Sequence, residues 1–504
     1  MPPRPAILAR TVVPAPLRVV FSLVIGAVGV DLAVAGFRSH GIGLSLAAWA
    51  VLVALLAAAP PRSAGRGPAV FFSALVVVFG WFWFARSSAV ISPIAMLAAF
   101  GSLVALAAFG RRGGLFDVTS AALVTRAVFF IEDALLGLPW AAHPAIDRAR
   151  RGRAEPTTGA PDIDSVWPVR ILGLALAIPV AATIVGLLAW GDPVFASLFD
   201  IGLDGRQLAR YVGFGLGGAA TVAMLARHAT ADEQRGDVAA EAPATLGNTI
   251  IATLAAVFAL FAASRLLSLT GAAERIAHEK GLTYAEYARS GFFQLLGAAA
   301  ISFGVLALVG AACRTGTPSQ LRWRTGLGLL NAVLVETLVV DAIWRLHLYE
   351  QAYGWTLLRL HSTWFAMWVG VAFLIVGASY TGLWRNRRWL LAAIACFALV
   401  GLAGATLVNS EAIVAKRNMT GPTDLSSERR DGGTDLDYLV ELGDDAVPTI
   451  VDNLDGVDDA ARDELLGRLC DRPVGANSGL SYNLARARAK DALAGRCPDE
   501  TPSR

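Results

Sequence analysis

One carboxylate in the middle of an apolar stretch is the residue of this sequence best suited to chemistry. Glu336 lies near the centre of residues 325–344, which are mostly apolar. A charged carboxylate at the centre of a bilayer costs roughly 3 kcal/mol on insertion scales unless it is paired, protonated or hydrated. Such groups often belong to ion or proton pathways. The alternative is a protonated, hydrogen-bonded group in the protein core.

Three more charged residues in apolar surroundings are weaker candidates. Asp341 follows Glu336 by five residues, and Arg345 lies four residues beyond Asp341, a spacing that allows a local ion pair on one helix face. Asp31 interrupts the first apolar run. We therefore treat Glu336, Asp341, Arg345 and Asp31 as candidates for an intramembrane ion, proton or substrate site.

Motifs for catalysis or for metal binding are absent from the sequence. It contains no phosphate-loop GK[ST], no H-E-x-x-H and no G-x-S-x-G. His347 and His361 match no common ligand spacing. Residues 213–218, GFGLGG, lie in an apolar run, where the Gly213–Gly217 spacing favours close helix packing. We predict no catalytic residue, no metal, no cofactor and no nucleic-acid partner, and we expect that the protein is not an enzyme.

The composition predicts a protein that spans a bilayer many times. Hydrophobic residues make up 55% of the chain and charged residues only 16%, against about 25% charged in a soluble domain. Apolar runs of about 20 residues are long enough to cross the hydrocarbon, and they must do so as helices because lipid offers no backbone partners. Eleven runs qualify: 18–37, 42–60, 68–85, 89–109, 168–190, 207–226, 248–269, 291–312, 325–344, 363–383 and 389–408.

Two segments need a separate interpretation. Residues 116–138 are apolar but carry Arg126, Glu132 and Asp133, which favours an amphipathic helix on the membrane surface over a span. The first run ends in Ala33-Val34-Ala35, which is similar to a signal-peptide cleavage site. Because that run is long and carries Asp31, we expect it to remain as the first helix.

The placement of arginine predicts the orientation. With the N-terminus in the cytoplasm, the inner segments carry 21 of the 31 Lys and Arg residues that precede residue 409. Residues 1–408 have a net charge of +10 and residues 409–504 a net charge of −7. We predict a protein of the plasma membrane with an extracytoplasmic C-terminus, and Cys470 and Cys497 could then form a disulfide. The alternative is two unrelated thiols.

Residues 281–293, GLTYAEYARSGFF, have the pattern of a helix start at the membrane surface. Thr283 as N-cap and Glu286 three residues later form a capping box. Glu286 and Arg289 can pair on one face, and Tyr284 and Tyr287 suit the headgroup region. A structural role as a helix start accounts for the residues of this interfacial motif without a ligand, and the alternative is a binding role.

Five motifs resemble a known family. They are GLTYAEYARSGFFQLL from residue 281, RLHLYEQAYGWTLLRL at 345–360, VNSEAIVAKRNM at 408–419, DLDYLVELGDDAVPTI at 435–450 and NLARARAKDAL at 483–493. Together they are similar to a bacterial domain-of-unknown-function family of multi-pass membrane proteins, over roughly residues 168–493. Ser410 stands where the family pattern suggests proline. The resemblance implies an integral membrane protein and transfers no catalytic residue.

These observations predict an all-α polytopic bundle of about 11 spans with a small helical C-terminal soluble domain. The expected parts are an N-terminal four-helix unit (1–110), a cytoplasmic loop with the surface helix (111–167), a core of seven helices (168–408) and an acidic tail (409–504). Three functions remain open: a transporter or permease that uses Glu336, a sensor or assembly component whose tail binds a protein partner, and an enzyme on lipid-linked substrates. The lipid bilayer is the expected partner in each case.

Overall fold

A computed structural model of the chain shows an all-helical architecture with one short sheet. The structure describes residues 4–37, 41–117, 120–151, 205–238, 243–267, 298–299, 301–303, 305–306, 309, 313, 316–380, 390–420, 436–472 and 477–497. For these residues the predicted all-α class is confirmed.

A first bundle contains five long helices. They are α1 (Leu17–Phe37), α2 (Ile42–Ala58), α3 (Arg66–Ala85), α4 (Ile91–Phe109) and α6 (Gly205–Thr230). α1 packs along α2 and α6, and α3 packs against α2 and α4. Leu55, Val76, Phe79 and Leu225 are fully buried between them. α2, α3 and α4 have no charged residue in their interior. In apolar surroundings such segments form helices, because a helix satisfies its backbone hydrogen bonds without water.

A glycine contact lets α1 and α6 approach each other closely. A Cβ built on Gly26 would lie 2.5 Å from Cγ2 of Val222, and Gly218 lies against the Gly26 carbonyl. Gly213 and Gly217 take no part in this contact, because no described atom comes within 4 Å of a Cβ built on either, and their role in close helix packing stays a prediction. Gly218 allows the close approach of the two helices, because it lies on the face of α6 that packs against α1.

One end of the first bundle is covered by a long helix and a two-stranded sheet. The elements are α5 (Ser120–Arg151), β1 (Arg4–Thr11) and β2 (Asp232–Val238). The strands pair antiparallel, with Arg4 opposite Val238 and Thr11 opposite Asp232. α5 contacts α6 and β1. The predicted helix at 116–138 therefore exists from Ser120 onward, and its position at the membrane surface stays a prediction.

A second bundle carries the candidate site. It contains α7 (Ala244–Leu267), α8 (Pro318–Tyr353), α9 (Leu357–Tyr380) and α10 (Leu390–Leu407). α8 packs against α7 and α9, and α10 contacts α9 as well as α3 and α4. Thr317 and Gln320 form a capping box at the start of α8, and Gly354, with a φ of 75°, ends it.

Five short helices follow as the tail: α11 (Ser410–Thr420), α12 (Leu436–Glu441), α13 (Val447–Asp452), α14 (Asp459–Cys470) and α15 (Leu484–Leu493). α11 leaves the axis of α10 at an angle of 58°. The tail helices share an apolar core with the start of α9, which includes Leu439, Leu442, Ile450, Leu465 and Leu469 of the tail and Leu360 of α9.

Several helices are long and apolar enough to cross a membrane. Among the described residues there are five, or six if the bent pair of α10 and α11 counts as one: Ser63–Ala85, Ile91–Phe109, Ala244–Ala263, Pro318–His347, Leu357–Tyr380 and the pair Ala392–Leu407 with Ser410–Thr420. Their number and hydropathy indicate a membrane protein. The predicted total of eleven stays a prediction, since 168–190 and much of 291–312 lie outside the described residues.

The helix ends divide into two groups. At one end, which we name the arginine end, Arg10, Arg112 and Arg227 meet carboxylates of α5 and β2. At the other, which we name the tail end, the backbone of Ile42 donates to the carbonyl of Tyr482 and Arg86 pairs with Asp445. The helices of the first bundle thus run between a basic end and the tail.

Candidate functional site

Glu336 lies on α8 and faces a glycine of the neighbouring helix. A Cβ built on Gly370 of α9 would lie 3.3 Å from Oε2 of Glu336, so the carboxyl group rests where α9 has no side chain. Oε1 is buried and has no hydrogen-bond partner among the described residues. An unpaired carboxylate in apolar surroundings is costly, and the cost disappears when the group holds a proton or binds a cation. The arrangement therefore suits reversible uptake of a proton or cation.

The other acids of the predicted site are not gathered around Glu336. Arg345 Nε lies 2.9 Å from Asp341 Oδ2 and both side chains are largely buried, so these two residues form a local ion pair. Asp31 lies on α1, which packs against α2 and α6, and its Oδ1 is buried without a partner. Among the described residues, neither Asp341 nor Asp31 therefore forms a joint site with Glu336.

Two polar residues of α8 join it to α7, and sequence reasoning did not single them out. Arg324 donates to Oδ1 of Asn248 (3.0 Å) and to the carbonyl of Ala244 (3.2 Å). Asn331 donates to the carbonyl of Ile251 (3.0 Å), and its own Oδ1 is buried without a partner. An asparagine five residues before Glu336 in an apolar run was the available signal. These bonds fix the face that α8 turns toward α7.

A buried ionic network at the arginine end was not predicted as a site. Asp133 of α5 is fully buried and accepts from Arg10 Nη1 (2.6 Å) and from Arg227, and His228 Nδ1 lies 2.8 Å from its Oδ2. Glu132 pairs with Arg10 (2.9 Å) and Arg227 (2.8 Å). Burial alone would raise the pKa of Asp133, but His228 and Arg10 hold it below its ordinary value.

A third carboxylate extends this network toward the loop after α4. Glu233 of β2 accepts from Arg112 (2.8 Å) and, with both oxygens, from Arg126 (3.0 and 2.9 Å). Arg112 also donates to the carbonyls of His228 and Ala231. Burial lowers the pKa of Arg112 to about 10, against the opposing charge of Glu233. The network ties α4, α5, α6 and both strands together.

The predicted interfacial motif stays a prediction. Thr283, Tyr284, Glu286, Tyr287 and Arg289 lie outside the residues that the structure describes. Within the described ranges, no three His, Cys, Asp or Glu residues are grouped as they would be around a metal ion.

The two tail cysteines are bonded in the structure. Cys470, at the end of α14, and Cys497 have Cα atoms 5.6 Å apart, a separation typical of disulfides. Cys313 and Cys396 are free. The bond therefore closes the tail across 27 residues of sequence.

We expect a thiol count to detect this bond in the expressed protein. Under denaturing conditions without reductant, maleimide should add to two of the four cysteines, and after reduction to all four. The measurement is the mass of the intact chain. Cys470→Ser should react at all three remaining thiols without reductant. Four reactive thiols in the unreduced wild type would contradict the bond.

Comparison with known protein families matches residues 71–453 to the family described as "Domain of unknown function (DUF4153)". No curated protein and no solved structure matches the chain. The match starts nearly 100 residues earlier than the resemblance suggested and ends before NLARARAKDAL at 483–493. Because it covers about three quarters of the chain, the chain belongs to this family.

Proposed function

We propose that this member of the DUF4153 family is a multi-pass protein of the bacterial cell membrane that moves a small solute or ion across the bilayer. Glu336 is the carboxylate that binds the coupling proton or cation. The observation that carries the proposal is the buried, unpartnered Oε1 of Glu336 in a candidate span, with Gly370 of α9 beside the carboxyl group.

The orientation of the proposed carrier follows from the two ends of the bundle. The N-terminus, α5 and the arginine end lie in the cytoplasm and the acidic tail lies outside, as the distribution of positive residues favours. The Cys470–Cys497 bond supports this orientation, since disulfides persist on the oxidising side of the membrane. The proposed total is eleven spans, with α5 on the cytoplasmic surface.

Reporter fusions test the orientation. Alkaline phosphatase fused after Arg504 should be active and a green fluorescent protein at the same place dark, because the first folds only outside and the second only inside. Fusion after Arg112, between α4 and α5, serves as the control and should give the opposite pair of results. A fluorescent, phosphatase-inactive C-terminus would refute the orientation.

A hydrophobic carbodiimide tests the proposed role of Glu336. This reagent modifies protonated carboxyl groups in apolar surroundings, so the peptide that contains Glu336 should be labelled in reconstituted protein. The rate should fall as the pH rises. Mass spectrometry of the digested protein gives the labelled position. Glu336→Gln should lose the label and Thr337→Val, one residue further on α8, should keep it. A wild type that stays unlabelled at Glu336 at every pH argues against a carboxyl that exchanges protons.

The alternatives have less support. A sensor or assembly component would work through the tail, and deletion of residues 420–504 should then affect cells more than any change in α8. An enzyme on lipid-linked substrates would use Glu286, Arg289 and Arg345, of which the first two lie outside the described residues and Arg345 pairs with Asp341.

A further inference from the structure

The tail is fastened to the tail end of the first bundle through a buried aspartate. Asp445, between α12 and α13, accepts from Nη1 of Arg86 (3.2 Å) and from the backbone N–H of Ser87 (2.7 Å). The side-chain amide of Asn409 donates to the carbonyl of Asp445 (2.9 Å). These bonds hold the turn after α12 against the turn between α3 and α4.

A second carboxyl group lies behind this contact. Glu411, on α11, is only 3% exposed, and its Oε2 has no hydrogen-bond partner. The hydroxyl of Ser88 is likewise buried, and it lies beside the carboxyl group of Glu411. Both residues line a small, partly open cavity together with Asp445 and Asn409. Glu411 Oε2 also lies against the tail backbone, because a Cβ built on Gly443 would come within 2.5 Å of it.

Within the part of the chain that the structure describes, no cation pairs with Glu411. The tail presents Asp445 and Asp444, together with the Tyr438 hydroxyl. Arg86 faces the cavity from the turn before α4, but it already binds Asp445 and the carbonyl of Leu407. Two further arginines of the tail are paired with Asp444, namely Arg472 and Arg486. An ionised Glu411 would thus add a negative charge beside Asp445 with no guanidinium to offset it.

We propose that the protonation state of Glu411 controls the contact between the tail and the helix bundle, and we name this contact the fastener. The neutral carboxyl group lets the tail lie against the bundle, and the ionised form loosens the tail. This role of Glu411 does not involve Glu336, and it does not depend on whether the protein is a carrier. Because the tail lies outside the cell in the proposed orientation, the fastener would respond to external pH.

The sign of the pH dependence follows from the two states of the tail. Burial, and next the charge of Asp445, raise the pKa of Glu411 to about 7 from the ordinary value of 4.5. When the tail is loose, water reaches the carboxyl group and the ordinary value returns. Docking of the tail on the bundle is therefore strongest below about pH 4.5 and weakens as the pH rises. Above about pH 7 the contribution of the neutral Glu411 to docking is lost completely.

Hydrogen–deuterium exchange of the full-length protein in nanodiscs tests the fastener. We expect the protection of amides in residues 436–451, corrected for the intrinsic pH dependence of exchange, to fall by about tenfold between about pH 5.5 and pH 8. Glutamine has nearly the same shape as glutamate but cannot ionise. In the Glu411→Gln variant the protection of these amides should therefore no longer depend on pH, whatever its absolute level.

Asp455→Asn is the matched control, because Asp455 is a fully exposed acid of the tail. It should keep the pH dependence of the wild type. Wild-type protection that does not change with pH would overturn the proposal, and so would a Glu411→Gln protein whose protection still falls over the same range.

Discussion

Asp133→Ala is expected to lower the free energy of unfolding by about 3–5 kcal/mol, the usual cost of removing one partner of a buried ion pair. The side chain of Asp133 is fully buried, and it neutralises Arg10 and Arg227 at once. Without it, the carboxylate that both guanidinium groups still contact among the described residues is Glu132, which is 42% exposed. Unfolding in mixed detergent micelles, followed by fluorescence, measures the change.

Glu132→Gln is the control for this prediction. Glu132 contacts the same two arginines, but water already screens it, so its charge should contribute less than about 1 kcal/mol. The double variant Asp133→Ala with Arg227→Met should recover part of the loss, because it removes one of the two uncompensated charges. Equal losses for Asp133→Ala and Glu132→Gln would show that burial of the pair does not govern stability.

Glu336→Gln is expected to abolish the function of the protein in cells while leaving its amount unchanged. Glutamine fills the same space beside Gly370 but can neither release a proton nor carry a charge. Glu336→Asp keeps the carboxyl group and should retain part of the function. The measurement is complementation of a deletion strain, with the protein level checked by immunoblot.

Thr337→Val provides the matched control on α8. Thr337 is the next residue, it is exposed, and its hydroxyl only donates to the carbonyl of Leu334 in its own helix. This variant should complement like the wild type. A Glu336→Gln strain that grows like the wild type would remove the carboxylate from the mechanism.

The sequence was sufficient for those features that depend on neighbouring residues. Apolar runs predicted helices, and the spacing of Asp341 and Arg345 allowed the ion pair that the structure contains. The family resemblance, too, rested on contiguous motifs, and the match at residues 71–453 confirms it. Each of these signals is complete within a few helical turns.

Features built from distant segments could not be predicted in this way. The charges of Arg126, Glu132 and Asp133 suggested only the polar face of a surface helix. Their partners Arg10, Arg227 and Glu233 are 94 to 123 residues away, and no local pattern connects them. The pairing of β1 with β2 and the packing of Asp445 against Arg86 have the same origin.

The central claim is that Glu336 takes up and releases a proton from within the membrane, and charge displacement tests it without knowledge of the substrate. Reconstituted protein on a solid-supported membrane is exposed to a rapid step from acid to alkaline buffer. We predict a transient current that Thr337→Val retains and Glu336→Gln lacks. Identical transients from the wild type and Glu336→Gln would contradict the account.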